Sequence, residues 1–332
     1  MYNNHIFSVG VHSVFLAFWK LECVTPLAIR NGLSISYEEA IARKSRGRDL
    51  KFKWKPKEGS DYEVAALHYG YEIANGQVSA YHFVPASSVR GALRSWTISH
   101  LVHPDFRSKM TPPEREDETR TQAYVDNMQA ALAERRNGYQ LIASLFGLAL
   151  DTRGEEEQLA NAGRLRLETE KFSEAKARPI AANGIVAQGK AGPDNAHRQM
   201  VVRNPLDRIT HASKEGGLHH FLEFCRGESF AVRISILNPQ GSDLGLINLW
   251  VREMDDGLLR IGALSSIGRG RVRVVKQSYN LWQRPGAPKI EGLEHFVASK
   301  GHDNDALADL WQSHTLPDTA LGKFKKYLQE HV

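Results

Sequence analysis

Two short stretches of the chain carry residues suited to gripping a charged ligand. The first is FVPASSVRGALRSW, Phe83 to Trp96, where a proline and two serines lead into a segment bearing Arg90 and Arg94. Ser87 or Ser88 is placed to cap a helix there, with the first backbone amides pointing outward. Those amides, the helix dipole and two guanidiniums four residues apart could together form a phosphate site. Gly91 would let a second backbone approach closely. The same residues also suit an ordinary capped helix whose arginines are solvated, and on their own they do not separate the two. The second stretch is IGALSSIGRGRVRV, Ile261 to Val274. Its glycine-rich turn holds Ser265 and Ser266, and Arg269, Arg271 and Arg273 then alternate into a strand. Backbone donors in such turns cradle phosphate. Taken alone, it reads as a tight turn before an edge strand.

A third candidate runs from Arg30 to Lys57 and gathers Arg43, Lys44, Arg46, Arg48, Lys51, Lys53, Lys55 and Lys57. An extended backbone puts the four alternating lysines on one face. Phe52 and Trp54 sit among them, and bases stack on rings while lysines meet phosphates. Arg30, Arg48, Lys51 and Lys53 are the candidate contacts, against the alternative of a solvated basic face. Other chemistries find less support. No G-K-[ST] follows a glycine loop, so there is no Walker A pattern. His211, His219 and His220 precede Cys225, but adjacent histidines need special geometry to share an ion, and a structural or surface role is the simpler reading. No Ser-His-Asp order stands out from spacing.

These residues need a scaffold. With 332 residues, 42% of them hydrophobic, the chain can bury a substantial core. Lys and Arg exceed Asp and Glu by only 43 to 38, so the placement of charge matters more than its sum. Two distant cysteines, Cys23 and Cys225, give neither a disulfide framework nor a zinc site, and a cytoplasmic protein without membrane association is expected. Phe15, Ala17, Trp19, Leu21 and Cys23 alternate as a buried strand. A short strand precedes Phe83, and the helix after it runs to about Leu101, burying Val89, Leu93 and Trp96. TPPEREDETR reads as a loop, and residues 122–150 are mainly helical, broken at Asn137-Gly138 and again near LFG. GRLRLETE is a half-exposed strand, and ESFAVRISIL aligns Phe230, Val232, Ile234 and Ile236. SDLGLINLWVREM is an amphipathic helix capped by Ser242 or Asp243. RVRVV is the last strand, followed from about Leu281 by a linker and two short helices. Strand, helix, strands, then strand, helix, strand predicts an α+β fold with a ferredoxin-like antiparallel sheet and long insertions.

Taken in order, FVPASSVRGALRSW, LFG at Leu145 to Gly147, GRLRLET, NPLDRIT, HHFLEFCRGESFAVRISI and IGALSSIGRGRVRV resemble the RAMP superfamily over roughly residues 10 to 276. More narrowly they resemble the repeated backbone subunit of class 1 CRISPR effector complexes. The resemblance implies an RRM-like domain over residues 1–280, interrupted by a basic loop at 30–80, a helical insertion at 103–160 and a thumb-like segment at 172–218. A helical extension follows at 281–332. It implies several copies along a guide CRISPR RNA, other effector subunits as partners, and target DNA or RNA recruited by base pairing through the guide.

On this resemblance Ser87, Ser88, Arg90 and Arg94 face the guide backbone, with the turn carrying Ser265, Ser266, Arg269 and Arg271 beside them. Arg198, Arg203 and Arg208 of the thumb would meet phosphates, while Met200 and Val201 would wedge against unstacked bases. The family's type III branch carries an aspartate after the first strand for metal-dependent target cleavage. TPLAIRNGLSISYEEA has none there; Asp49 and Asp61 come later and are the weak catalytic candidates. The expectation is a non-cleaving subunit without a cofactor, leaning towards type IV. The alternative is a metal-dependent target ribonuclease of type III.

Overall fold

The chain is described here by a computed structural model covering residues 10–36, 63–74, 77–104, 118–133, 138–149, 160–170, 198–203, 219–290 and 312–330. Strand β1 is Ser13–Cys23. Its predicted alternation holds: Phe15, Ala17, Trp19, Leu21 and Cys23 are all buried. Four strands follow, β2 (Arg30–Ser36), β3 (Glu63–Leu67), β4 (Tyr69–Ala74) and β5 (Gln77–His82). Then come helices α1 (Ala86–Leu101), α2 (Glu118–Ala133) and α3 (Tyr139–Phe146). Short strands β6 (Leu148–Ala149) and β7 (Ala160–Asn161) lead to β8 (Leu165–Thr169), β9 (Arg198–Arg203), β10 (His219–Phe224) and β11 (Ser229–Leu237). Helix α4 (Gly241–Asp255), β12 (Val272–Gln283), β13 (Gln312–Leu316) and the short α5 (Lys325–Gln329) complete the order.

The main sheet runs β13-β12-β1-β11-β8. All its pairings are antiparallel, with Ala17 opposite Ile234 on one side and Tyr279 on the other. Helix α1 lies in the chain between β1 and β8, and α4 between β11 and β12. That is the split βαβ arrangement of a ferredoxin-like fold, with β13 added at one edge. The α+β expectation, with an antiparallel sheet at the core, is met.

Both helices pack their apolar stripes into a single core. Val89, Leu93 and Trp96 of α1 join Leu244, Ile247, Trp250 and Met254 of α4 against the sheet. One polar contact pins the helices together: Trp250 Nε1 donates to Thr97 Oγ1 at 2.9 Å, and Thr97 Oγ1 donates to Leu93 O at 2.6 Å. At the start of α4 the buried Arg164 makes a two-pronged pair with Asp243, at 2.6 and 3.0 Å. Asp243 also accepts from the Gln240 backbone amide at 2.8 Å. The cap of α4 is therefore Gln240, with Asp243 three residues in, rather than Ser242 or Asp243 as the sequence suggests.

Two parts of the domain layout differ from the sequence reading. The 30–80 insertion is more than a basic loop: β2 and β3 join β10 and β9 in a second sheet, ordered β2-β3-β10-β9, and β4 pairs with β5. β10 runs parallel to β3 and antiparallel to β9. The 280/281 boundary falls inside β12, and the extension beyond it contributes a strand as well as helices. Its last turns pack on α4, where a Cβ on Gly245 would sit 2.6 Å from Phe324 O.

Candidate nucleic-acid interface

Helix α1 and the glycine-rich turn, far apart in sequence, form the two walls of an open groove of about 730 Å³. One wall comes from α1: Ser88, Gly91, Ala92, Ser95, Trp96, Ser99 and His100 recur every three or four residues and so share a helix face. Leu258, Arg260, Gly262, Ser265 and Ser266 make the other. A Cβ on Gly91 would meet nothing within 4 Å, so this glycine leaves the groove floor open.

Backbone contacts hold the turn. Ala263 N–H donates to Ala28 O at 2.8 Å, Gly270 N–H to Pro26 O at 2.9 Å, and Arg271 N–H to Thr25 Oγ1 at 3.0 Å. The chain passes so close to its neighbours that a Cβ on Gly270 would collide with Ile261 O, and one on Gly262 would lie 2.6 Å from Ala28 O. Both glycines have positive φ, at 75° and 86°, which disfavours any other residue. A single 3₁₀ turn, Ser265–Ile267, then lifts Ser265 and Ser266 to the exposed rim. Arg260 braces it, its Nη1 donating to Ser265 O at 3.0 Å and its Nε to Gly257 O at 3.1 Å.

The sequence-predicted residues divide into those that reach this groove and those committed elsewhere. Ser88, Ser265 and Ser266 line it. Ser87 is exposed on α1, and Arg94 is exposed one turn beyond Arg90. The cap of α1 is Pro85, with no side-chain capping bond, so both serines lie inside the helix and neither caps it. Proline suits this junction because its fixed φ presets the chain at the helix entrance. Arg90 turns inward, its Nη2 donating to Phe146 O at 2.5 Å. It thereby satisfies a carbonyl at the end of α3, where unpaired carbonyls and the negative dipole end attract a cation.

Arg269 and Arg271 are likewise engaged. Arg269 Nε lies 3.0 Å from the carboxylate of Glu223, which is fully buried, and Gln199 Nε2 donates to the other carboxylate oxygen at 2.6 Å. Arg271 Nη2 donates to Asp255 O at 3.2 Å, at the C-terminal end of α4. Arg30 is exposed on β2, with its guanidinium 5.1 Å above the Phe221 ring, a cation–π contact.

The thumb candidates also separate. Arg198 is 6% exposed and Met200 8%, and Met200 belongs to the main core. In β9, alternate side chains face inward, so Met200 packs the second sheet rather than standing free as a wedge. Val201 and Arg203 are half-buried on the same strand. Arg48, Asp49, Lys51, Lys53, Asp61 and Arg208 lie outside the described residues.

Sequence reasoning missed Ser95, Ser99, His100, Leu258 and Arg260. A signal was present: Ser88, Ser95 and Ser99 follow one helix face. Of the histidines considered for metal binding, His220 is buried, and desolvation with its neighbour His219 lowers its pKa. No group of three or more His, Cys, Asp or Glu residues suited to a metal occurs among the described residues. No helix of the described residues is long and apolar enough to cross a membrane.

No curated protein matches the chain. The family model described as "RAMP superfamily" matches residues 20–273, which is more than three-quarters of the chain and extends from within β1 to the start of β12. A ferredoxin-like core and two paired motifs across one groove are thus found in a chain that belongs to the RAMP superfamily, whose members are RNA-binding subunits of CRISPR systems.

Proposed function

We propose that this chain is a guide-RNA-binding backbone subunit: copies of it line up along a CRISPR guide RNA and present the guide for base pairing with target nucleic acid. The observation that carries the reading is the shared groove. Ser88 of the first motif and Ser265 and Ser266 of the second stand on opposite walls of it, although Ser88 and Ser265 are 177 positions apart in sequence. Serine hydroxyls, an arginine-braced turn and a helix face opened by Gly91 suit a sugar-phosphate strand, which is gripped by shape and backbone contacts rather than by base identity.

The subunit is read as non-cleaving, in the type IV branch, with other effector subunits as further partners. The case against cleavage is the sequence TPLAIRNGLSISYEEA, which lacks an aspartate after β1. Purification from a host carrying the CRISPR array, followed by sequencing of bound RNA, tests the assignment. Repeat-derived guides at stoichiometric yield are expected. A preparation with the ultraviolet profile of pure protein overturns it. Regularly spaced cuts in complementary RNA, dependent on magnesium and abolished by Asp49→Ala, would instead favour a type III target ribonuclease.

A further inference from the structure

Serine hydroxyls run along the groove, and an aromatic ring joins them at one end. Ser88, Ser95 and Ser99 of α1 and Ser265 and Ser266 of the turn all line it. From Ser88 to His100 the wall extends about 18 Å along the helix, and the far end is aromatic. There the His100 ring lies on the Trp96 indole, centroids 4.3 Å apart and planes 12° from parallel. His100 Nδ1–H donates to Trp96 O at 2.8 Å, which fixes the imidazole in place. Trp96 is 9% exposed while His100 is exposed, so the indole backs one face of the imidazole and the groove meets the other. Leu258, 65% exposed, lines the opposite wall.

From these features we infer that the His100 end of the groove is a base-stacking subsite, taking the planar face of one nucleobase on the exposed face of the imidazole while the groove's serine hydroxyls hold sugar and phosphate. A ring already held by a stack beneath it and a hydrogen bond beside it loses little side-chain freedom when a base lands on it, so more of the stacking energy appears as affinity. An exposed leucine in the same groove as an exposed aromatic ring adds apolar surface that suits a base rather than a phosphate. Stacking tolerates any base, so the subsite is compatible with a protein that holds a guide of any sequence.

The inference rests on the RNA-binding reading above, and the test keeps the two apart. The intact chain is titrated with a uridine dodecamer and with a dodecamer of abasic ribose phosphate, equal in length and charge. The wild-type chain is expected to prefer the uridine oligomer. In His100→Ile, which keeps the indole covered but offers no aromatic face, that preference falls about tenfold while abasic affinity stays put. His100→Phe retains the preference. An unchanged preference in His100→Ile, or an equal loss for both oligomers, overturns the stacking subsite and leaves RNA binding intact. A wild-type chain that binds neither oligomer removes the RNA-binding reading itself, and the subsite with it.

Discussion

Arg269 and Glu223 join the groove turn to β10: the guanidinium Nε sits 3.0 Å from a carboxylate with no solvent exposure. Removing the arginine leaves that charge buried with Gln199 as its remaining partner. Arg269→Ala is therefore expected to lower stability by about 2 kcal/mol, less than for a wholly buried pair because the arginine side chain is partly exposed. Urea denaturation measures the loss. The slope of RNA affinity against salt is expected to stay unchanged, because this cation is neutralised within the protein.

Arg90 and Arg94 make an informative contrast. Arg94 is exposed, so Arg94→Ala is expected to weaken binding to all RNA sequences alike and to reduce the salt slope by about one. Arg90 instead donates to Phe146 O. Arg90→Ala is expected to cost about 1–3 kcal/mol in stability, as a half-buried carbonyl loses its partner, with the salt slope preserved. Affinity titrations at four salt concentrations alongside thermal melts distinguish the two. An Arg90→Ala variant with wild-type stability and a reduced slope would reverse their roles.

Thr97 carries the polar link between the two core helices. It is fully buried, and its hydroxyl accepts from Trp250 and donates to Leu93 O. Thr97→Val keeps the shape and strands the indole N–H, so a loss of about 1–3 kcal/mol is expected in chemical denaturation. Thr97→Ser is expected to recover most of it.

Both cysteines resist ionisation. Burial pushes the Cys23 thiol from 9.0 up to about 12, with Glu228 and Cys225 adding to the effect. Cys225 rises to about 11, again chiefly through burial, with help from Glu228 and Glu223. Between pH 9 and about 12 the unfolded chain releases protons that the folded chain retains, so stability present below pH 9 declines through that window. Denaturation midpoints from pH 8 to 10.5 are expected to fall less steeply in Cys23→Val than in the parent. Alkylation of the native thiols at pH 8 is expected to be far slower than in urea.

The sheet core was readable because its signals are local. The alternation from Phe15 to Cys23 and from Phe230 to Ile236 fixes which faces are buried, and Val89, Leu93 and Trp96 mark a helix stripe. Pro85 displaced both serines from the cap of α1 because a preset φ opened the helix two residues earlier than a hydroxyl would have. The arginines were harder to read. Nothing local tells Arg94, left in solvent, from Arg90, drawn to a carbonyl 56 positions away, or Arg269, drawn to a buried glutamate. Met200 was misread for a similar reason: its strand finds a partner in β10, and that pairing turns the side chain inward. The β13 edge strand went unseen because QSHTL gives no clear alternation and gains its definition from β12.

The stitching of the glycine turn to Pro26–Ala28 relies largely on peptide groups, with Gly262 and Gly270 allowing the close approach. The shape of that wall is thus kept by the main chain, apart from a few anchors such as Thr25 and Arg260. Side chains on the rim can drift over generations, retuning what the trough prefers, while the architecture beneath stays as it was.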